Sequence, residues 1–112
     1  MRIAIPTAQG RLCMHFGHCE QFTLIDADDA THAVSHIEQV TPPPHEPGLL
    51  PRWLAERGVT VVIAGGMGQR AQQLFQQRGI HVVTGASSSD PEAAAQAWLA
   101  GTLVTGANVC DH

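Results

Sequence analysis

Apolar and polar positions change their period partway along the chain. Arg2-Ile3-Ala4-Ile5-Pro6 alternates as a strand does, and Gln21-Phe22-Thr23-Leu24-Ile25-Asp26 has the β-branched and aromatic content of a second. Asp28-Asp29 marks a turn into a third strand from Ala33 to Val40, which makes the opening of the chain an antiparallel meander. Pro42-Pro43-Pro44 ends it, because proline lacks a backbone donor and favours extended polyproline geometry. The segment through Pro47, which carries His45, is predicted as a stiff flap within the domain.

From Leu49 the period becomes helical. Leu50, Trp53 and Leu54 predict a short helix over 49–57 with Gly58 as its stop. Val59-Thr60-Val61-Val62-Ile63-Ala64 is a continuous apolar run of the kind a doubly covered strand requires, and Gly65-Gly66-Met67-Gly68 turns it into a helix over 69–78 with Ala71, Leu74 and Phe75 on one face. Gly79 closes that helix, Ile80-His81-Val82-Val83 makes the next strand, and Asp90-Pro91-Glu92 opens a last helix ending near Gly101. Strands around Ile63 and Val82 joined by a helix form a parallel pair with a right-handed crossover. The predicted fold is therefore α/β: a ribonuclease-H-like mixed sheet, three antiparallel strands then βαβ, flanked by helices. That topology raises nuclease chemistry by analogy alone. Such nucleases need carboxylates converging on hard Mg2+, yet the first strand carries none and Asp26 has no evident partner.

At 112 residues the chain has the length of one domain, 1–112, with function expected on a surface loop or pocket. Ten acids are scattered against six arginines and no lysine, for a net charge of −4, so no basic stripe exists for a phosphate backbone and nucleic acid is excluded as a partner. Met1 to Pro6 is too short for a secretory apolar region, and no apolar run approaches the roughly 18 residues of a membrane span. A cytoplasmic protein with no membrane partner is expected. Three cysteines cannot all pair internally, and their clustering with histidine suits a reducing compartment.

The candidate chemistry concentrates in Cys13-Met14-His15-Phe16-Gly17-His18-Cys19. Thiolate and thioether sulfur select Cu(I), zinc and iron-sulfur species, and imidazole suits zinc, copper and iron. Cys13, His15, His18 and Cys19 are therefore candidate metal ligands, to which Cys110 and His112 at the other end of the chain can add. The spacing matches no zinc-finger pattern, and a Cys13–Cys19 disulfide is the competing reading. His15 can instead pack within its loop, and the two cysteines can be small buried hydrophobes. Met14 reads as core. His32, His36 and His81 read as sheet or surface residues. The Gly65-Gly66-Met67-Gly68 turn leaves amide donors at a helix start, where an anion can bind, although it lacks the lysine of a phosphate loop and the spacing of a dinucleotide fingerprint. Its other reading is a tight turn that needs positive φ. Arg70 follows and either neutralises an anionic cluster or faces solvent.

These motifs together resemble the dinitrogenase iron-molybdenum cofactor biosynthesis family, the NifX-like domain also found at the C-terminus of the cofactor-assembly enzyme NifB. The resemblance runs through Met1-Arg2-Ile3-Ala4-Ile5-Pro6-Thr7, His15-Phe16-Gly17, the stretch from Gly58 to Gly68, and Cys110-Asp111-His112. It implies a ribonuclease-H-like fold without nuclease activity, and non-catalytic binding and transfer of an iron-sulfur or molybdenum-containing cluster in nitrogen fixation-related metallocofactor assembly. Its partners would be the cluster and cluster-assembly or apo-acceptor proteins. Carried over by position, the resemblance assigns cofactor contact to His15, Phe16, Gly17, Gly65, Gly66, Met67 and Gly68. Family members often have arginine where this chain has His18, and Cys13 and Cys19 lie outside the shared pattern. A zinc or copper protein, with a structural or metal-sensing site on the Cys/His loop, is the alternative. A thiol enzyme would need a cysteine of depressed pKa beside a base, such as Cys19 near His15 or His18.

Overall fold

In chain order the elements are β1 (Arg2–Ala8), β2 (Arg11–Leu12), β3 (Gln21–Ala27), β4 (Val34–Val40), α1 (Leu49–Glu56), β5 (Val61–Ile63), α2 (Gln69–Gln77), β6 (His81–Val83) and α3 (Pro91–Ala100). The structure, a computed structural model, describes residues 1–13, 19–44, 46, 48–86, 90–103 and 105. One mixed six-stranded sheet has the order β4-β3-β1-β5-β6, with β2 paired to β1 off that path. The meander is antiparallel, with Ile3 opposite Ile25 and Ile25 opposite Ile37. The second half is parallel: Ala4 lies opposite Val62, and Val62 opposite Val82.

Side chains alternate across the strands, so one sheet supports two cores. Ala4, Phe22, Leu24 and Val62 face Leu50 and Leu54 of α1 and Phe75 of α2. Ile3, Ile5, Ile25, Val61 and Ile63 face Ala94, Ala95 and Leu99 of α3. β1 and β5, covered on both sides, read as near-continuous apolar runs for that reason. Arg2 ties the layers at the sheet's opposite end. Its Nε donates to Asp26 Oδ1 at 2.8 Å, and its Nη1 to the Arg57 carbonyl at 2.9 Å.

Caps follow local chemistry. The Asp90 side chain accepts from the Glu92 amide with Pro91 next in line, and Gly101 ends α3 at φ 76°. The hydrogen-bonded β5 is shorter than the apolar run 59–64, but the Thr60 amide still donates to the Arg2 carbonyl and the Ala64 amide to the Val83 carbonyl. Two features depart from the expected meander. β2 forms a hairpin with β1 through Gln9 (φ 55°) and Gly10 (φ 77°), a mirror-image turn that suits strand twist. His32 lies in the turn before β4 rather than in a strand, at φ 62°, with its Nδ1 3.0 Å from the Leu99 carbonyl.

Candidate functional site

Strands β1, β5 and β6 run in one direction, so their carboxyl ends share an edge of the sheet. Ligands of open α/β sheets bind beyond such ends. The stretch with Cys13 and Cys19 is anchored there at both sides. The Cys13 amide donates to the Pro6 carbonyl at 2.8 Å, and the Glu20 amide to the Thr7 carbonyl at 2.9 Å. Glu20 also reaches back, its Oε1 accepting from the Gln9 amide at 3.0 Å. Two neighbouring residues of β1 thus hold the entry and exit of the stretch. β2 is the element that the sequence reading missed, and it delivers Cys13; the Gln9-Gly10 pair, a glycine turn beside an apolar strand, was its available signal.

Neither Cys13 nor Cys19 is in a disulfide, and both are half-buried. Cys19 packs against the core that holds Phe22, Ala64 and Met67. Burial pushes its thiol up to about 11, and the negative charge that Cys13 can carry adds to the rise, against a smaller opposing hydrogen bond from its own backbone. Activation of Cys19 as a nucleophile requires the opposite shift. As a metal ligand it gives up a proton on binding, so protons compete with the metal for it and loading weakens as pH falls.

The turn after β5 meets the same edge. Gly65 accepts from the Gly85 amide at 2.8 Å, and Gly65, Gly66 and Met67 are buried. The Met67 side chain lies in the core, so any contact it makes with a ligand runs through its backbone, whose carbonyl already accepts from Gln72 Nε2 at 2.9 Å. Gly68 is half-buried and precedes α2 in extended geometry, φ −63° and ψ 153°. Positive φ is therefore not the reason for glycine at this position, contrary to the tight-turn reading. Nor is close packing, since a Cβ there would meet nothing within 4 Å. α2 begins with no side-chain cap and no acid in its first turn, whereas α3, starting at the same edge, has both Asp90 and Glu92. With exposed Arg70 in that first turn, the start of α2 favours negative charge.

His15, Phe16, Gly17, His18, Cys110 and His112, with Met14 and His45, lie outside the described residues. Among the described residues no group of three or more His, Cys, Asp or Glu side chains could hold a metal ion. The sulfur donors brought to the edge are Cys13 and Cys19. His32, His36 and His81 are exposed and away from it, His81 with its ring centroid 6.2 Å from that of Trp98. No helix of the described residues is long and apolar enough to cross a membrane.

Known proteins share this fold. The chain is 30% identical over 95 residues to the uncharacterized protein MJ0580 of Methanocaldococcus jannaschii, covering 82% of this chain and 80% of that one. The crystal structure of PH0822 superposes with a TM-score of 0.85 at 31% identity, over 94% of both chains. The apo form of the orange protein from Desulfovibrio gigas superposes with a TM-score of 0.66 at 28% identity, over 96% of this chain and 93% of that one. The sequence profile described as dinitrogenase iron-molybdenum cofactor matches residues 1–101. Sequence and fold agree, and the chain belongs to the dinitrogenase iron-molybdenum cofactor family.

Proposed function

We propose that this protein is a non-catalytic carrier that binds an anionic iron-sulfur or molybdenum-containing cluster and passes it to an apo-acceptor or cluster-assembly protein. Family membership relates it to cofactor biosynthesis; binding and transfer are our reading of the site. The observation that carries it is the meeting, at one sheet edge, of Cys13 and Cys19, in a stretch anchored through the Cys13 and Glu20 amides to the Pro6 and Thr7 carbonyls, with an uncapped helix start behind Gly68. Sulfur donors suit a soft metal-sulfur cargo, and amide donors with Arg70 suit its negative charge.

In this reading Cys13 and Cys19 ligate the cargo after losing their protons. His15 and His18 supply further ligands from the same stretch, Phe16 and Gly17 complete its contact surface, and the backbone from Gly65 to Gly68 meets the bridging sulfides. Cys110 and His112 are candidate ligands from the tail. A carrier needs few and labile ligands, since a closed tetrathiolate cage would retain its cargo. The high thiol pKa of Cys19 fits that requirement, because reprotonation favours release. We read the whole chain as one ribonuclease-H-like domain working in the cytoplasm, where thiols stay reduced.

Anaerobic purification followed by measurement of Fe, Mo, Cu, Zn and acid-labile sulfide tests the proposal. Iron or molybdenum with sulfide is the expected result. Cargo should fall at least severalfold in Cys13→Ser and Cys19→Ser and in His15→Ala. Stoichiometric zinc or copper without sulfide replaces the carrier with a structural or metal-sensing site, and unchanged spectra in all three variants remove the site altogether.

A further inference from the structure

β4 ends the sheet. It pairs with β3 on one side, and among the described residues no strand lies on the other. Such an edge is a template for another strand unless proline, bulges or unmatched charges protect it. No proline occurs from Val34 to Val40, and Ser35, His36, Ile37 and Gln39 are exposed. Ile37, 40% exposed, is the exposed large hydrophobic residue among those described. Its neighbours are arranged symmetrically around it: serine and histidine before, glutamate and glutamine after.

We propose that β4 is a self-recognition surface, where two copies of this chain pair antiparallel about a two-fold axis passing Ile37. An axis perpendicular to the sheet keeps each face on its own side, so it must pass a residue rather than a peptide bond. At Ile37 it sets isoleucine against isoleucine, His36 against Glu38 twice, and Ser35 against Gln39 twice. At His36 it would oppose two imidazoles and set Val34 against Glu38. At Glu38 it would oppose two carboxylates and set His36 against Val40. Of these three registers only the first sets each imidazole opposite a carboxylate with isoleucines at the axis, whereas the third sets two carboxylates directly opposite each other, which is destabilising. An imidazole N–H can donate to the facing carboxylate, so side chains left unmatched beside an arbitrary strand become complementary to a second copy.

The charged groups on the His36 face fit this arrangement. Asp26 lies opposite His36 within the chain and is already bonded to Arg2, and Arg2 Nη1 is 4.0 Å from Glu38. The register shift between Asp26 and Ala27 ends regular geometry near Ser35, so the contact runs from Ser35 to Gln39. An interface that short is smaller than the roughly 1,000 Å² of stable complexes, and the association is weak and transient.

Sedimentation equilibrium of the full chain from about 10 μM to about 1 mM tests this, because weak interfaces dissociate in that range. A monomer–dimer equilibrium is expected. Ile37→Lys opposes two ammonium groups at the axis and should raise the dissociation constant at least tenfold. His36→Glu, at an exposed position, should do the same, and adding Glu38→Lys to it should restore association by reversing the pair. Far-ultraviolet circular dichroism melts establish that each variant folds; should Ile37→Lys not fold, the His36→Glu pair carries the comparison alone. A chain monomeric throughout the range overturns the proposal. So does a dimer indifferent to His36→Glu, or a double variant that stays as monomeric as His36→Glu.

Discussion

At the scale of single residues, two buried or half-buried polar groups behave in opposite ways. Asp26 sits under the Arg2 guanidinium, whose hydrogen bond holds its carboxyl below the usual carboxylate range against the cost of its partial burial. A depressed carboxylate pKa means that the unfolded chain takes up its proton first as pH falls. The stability it supplies is complete above the unfolded value and disappears as pH drops through the lower folded value. Asp26→Asn should therefore flatten the acid limb of a urea-midpoint profile below about pH 4, and cost about 1 kcal/mol at neutral pH. Thr23 is the contrasting case, since its Oγ1 is buried without a hydrogen-bond partner among the described residues. Thr23→Val keeps the β-branched shape and removes an unsatisfied hydroxyl, so urea unfolding should show stability unchanged or raised by up to about 1–2 kcal/mol.

At the scale of elements, α2 and α3 start at the same sheet edge with different N-termini. α3 has the side-chain cap and first-turn acid that stabilise a helix, while α2 has glycine and neither. Because Gly68 has negative φ and open space at its Cβ position, alanine fits without strain. Gly68→Ala should unfold at the same urea concentration as the parent or slightly higher, by about 0.4–1 kcal/mol of reduced unfolded-state entropy. If the backbone there approaches the cargo closely, cluster loading should nonetheless fall. Intact stability with reduced loading would separate a binding role for this glycine from a folding one, and unchanged loading would take Gly68 out of the site.

At the scale of the whole molecule, the central strands link two cores, so damage to either is felt across the sheet. Phe75 of α2 is fully buried against Phe22 and Leu54, and Phe75→Ala should cost about 3–5 kcal/mol, read as a lowered urea midpoint with an unchanged slope. Against a typical total of about 5–15 kcal/mol, that leaves a marginal fold. Much of this architecture was legible beforehand. Apolar periodicity is a local record of burial, so β1, β3, β4, all three helices and the parallel β5–β6 pair were readable from Ile3, Phe22, Val62, Phe75 and their neighbours. Glycine and Asp-Pro signals marked the ends, because φ preferences and capping act within a few residues. β2 was not legible, since two residues carry no period, and neither was the reason for Gly68, which depends on space around an absent Cβ. Residue types alone nominated Cys13 and Cys19 as soft donors. Only the folded chain decided that Pro6 and Thr7 hold both ends of their stretch, that burial raises the Cys19 thiol, and that the uncapped start of α2 shares their edge. Those properties arise between residues far apart in sequence, where strand register and desolvation, rather than local preference, set the outcome.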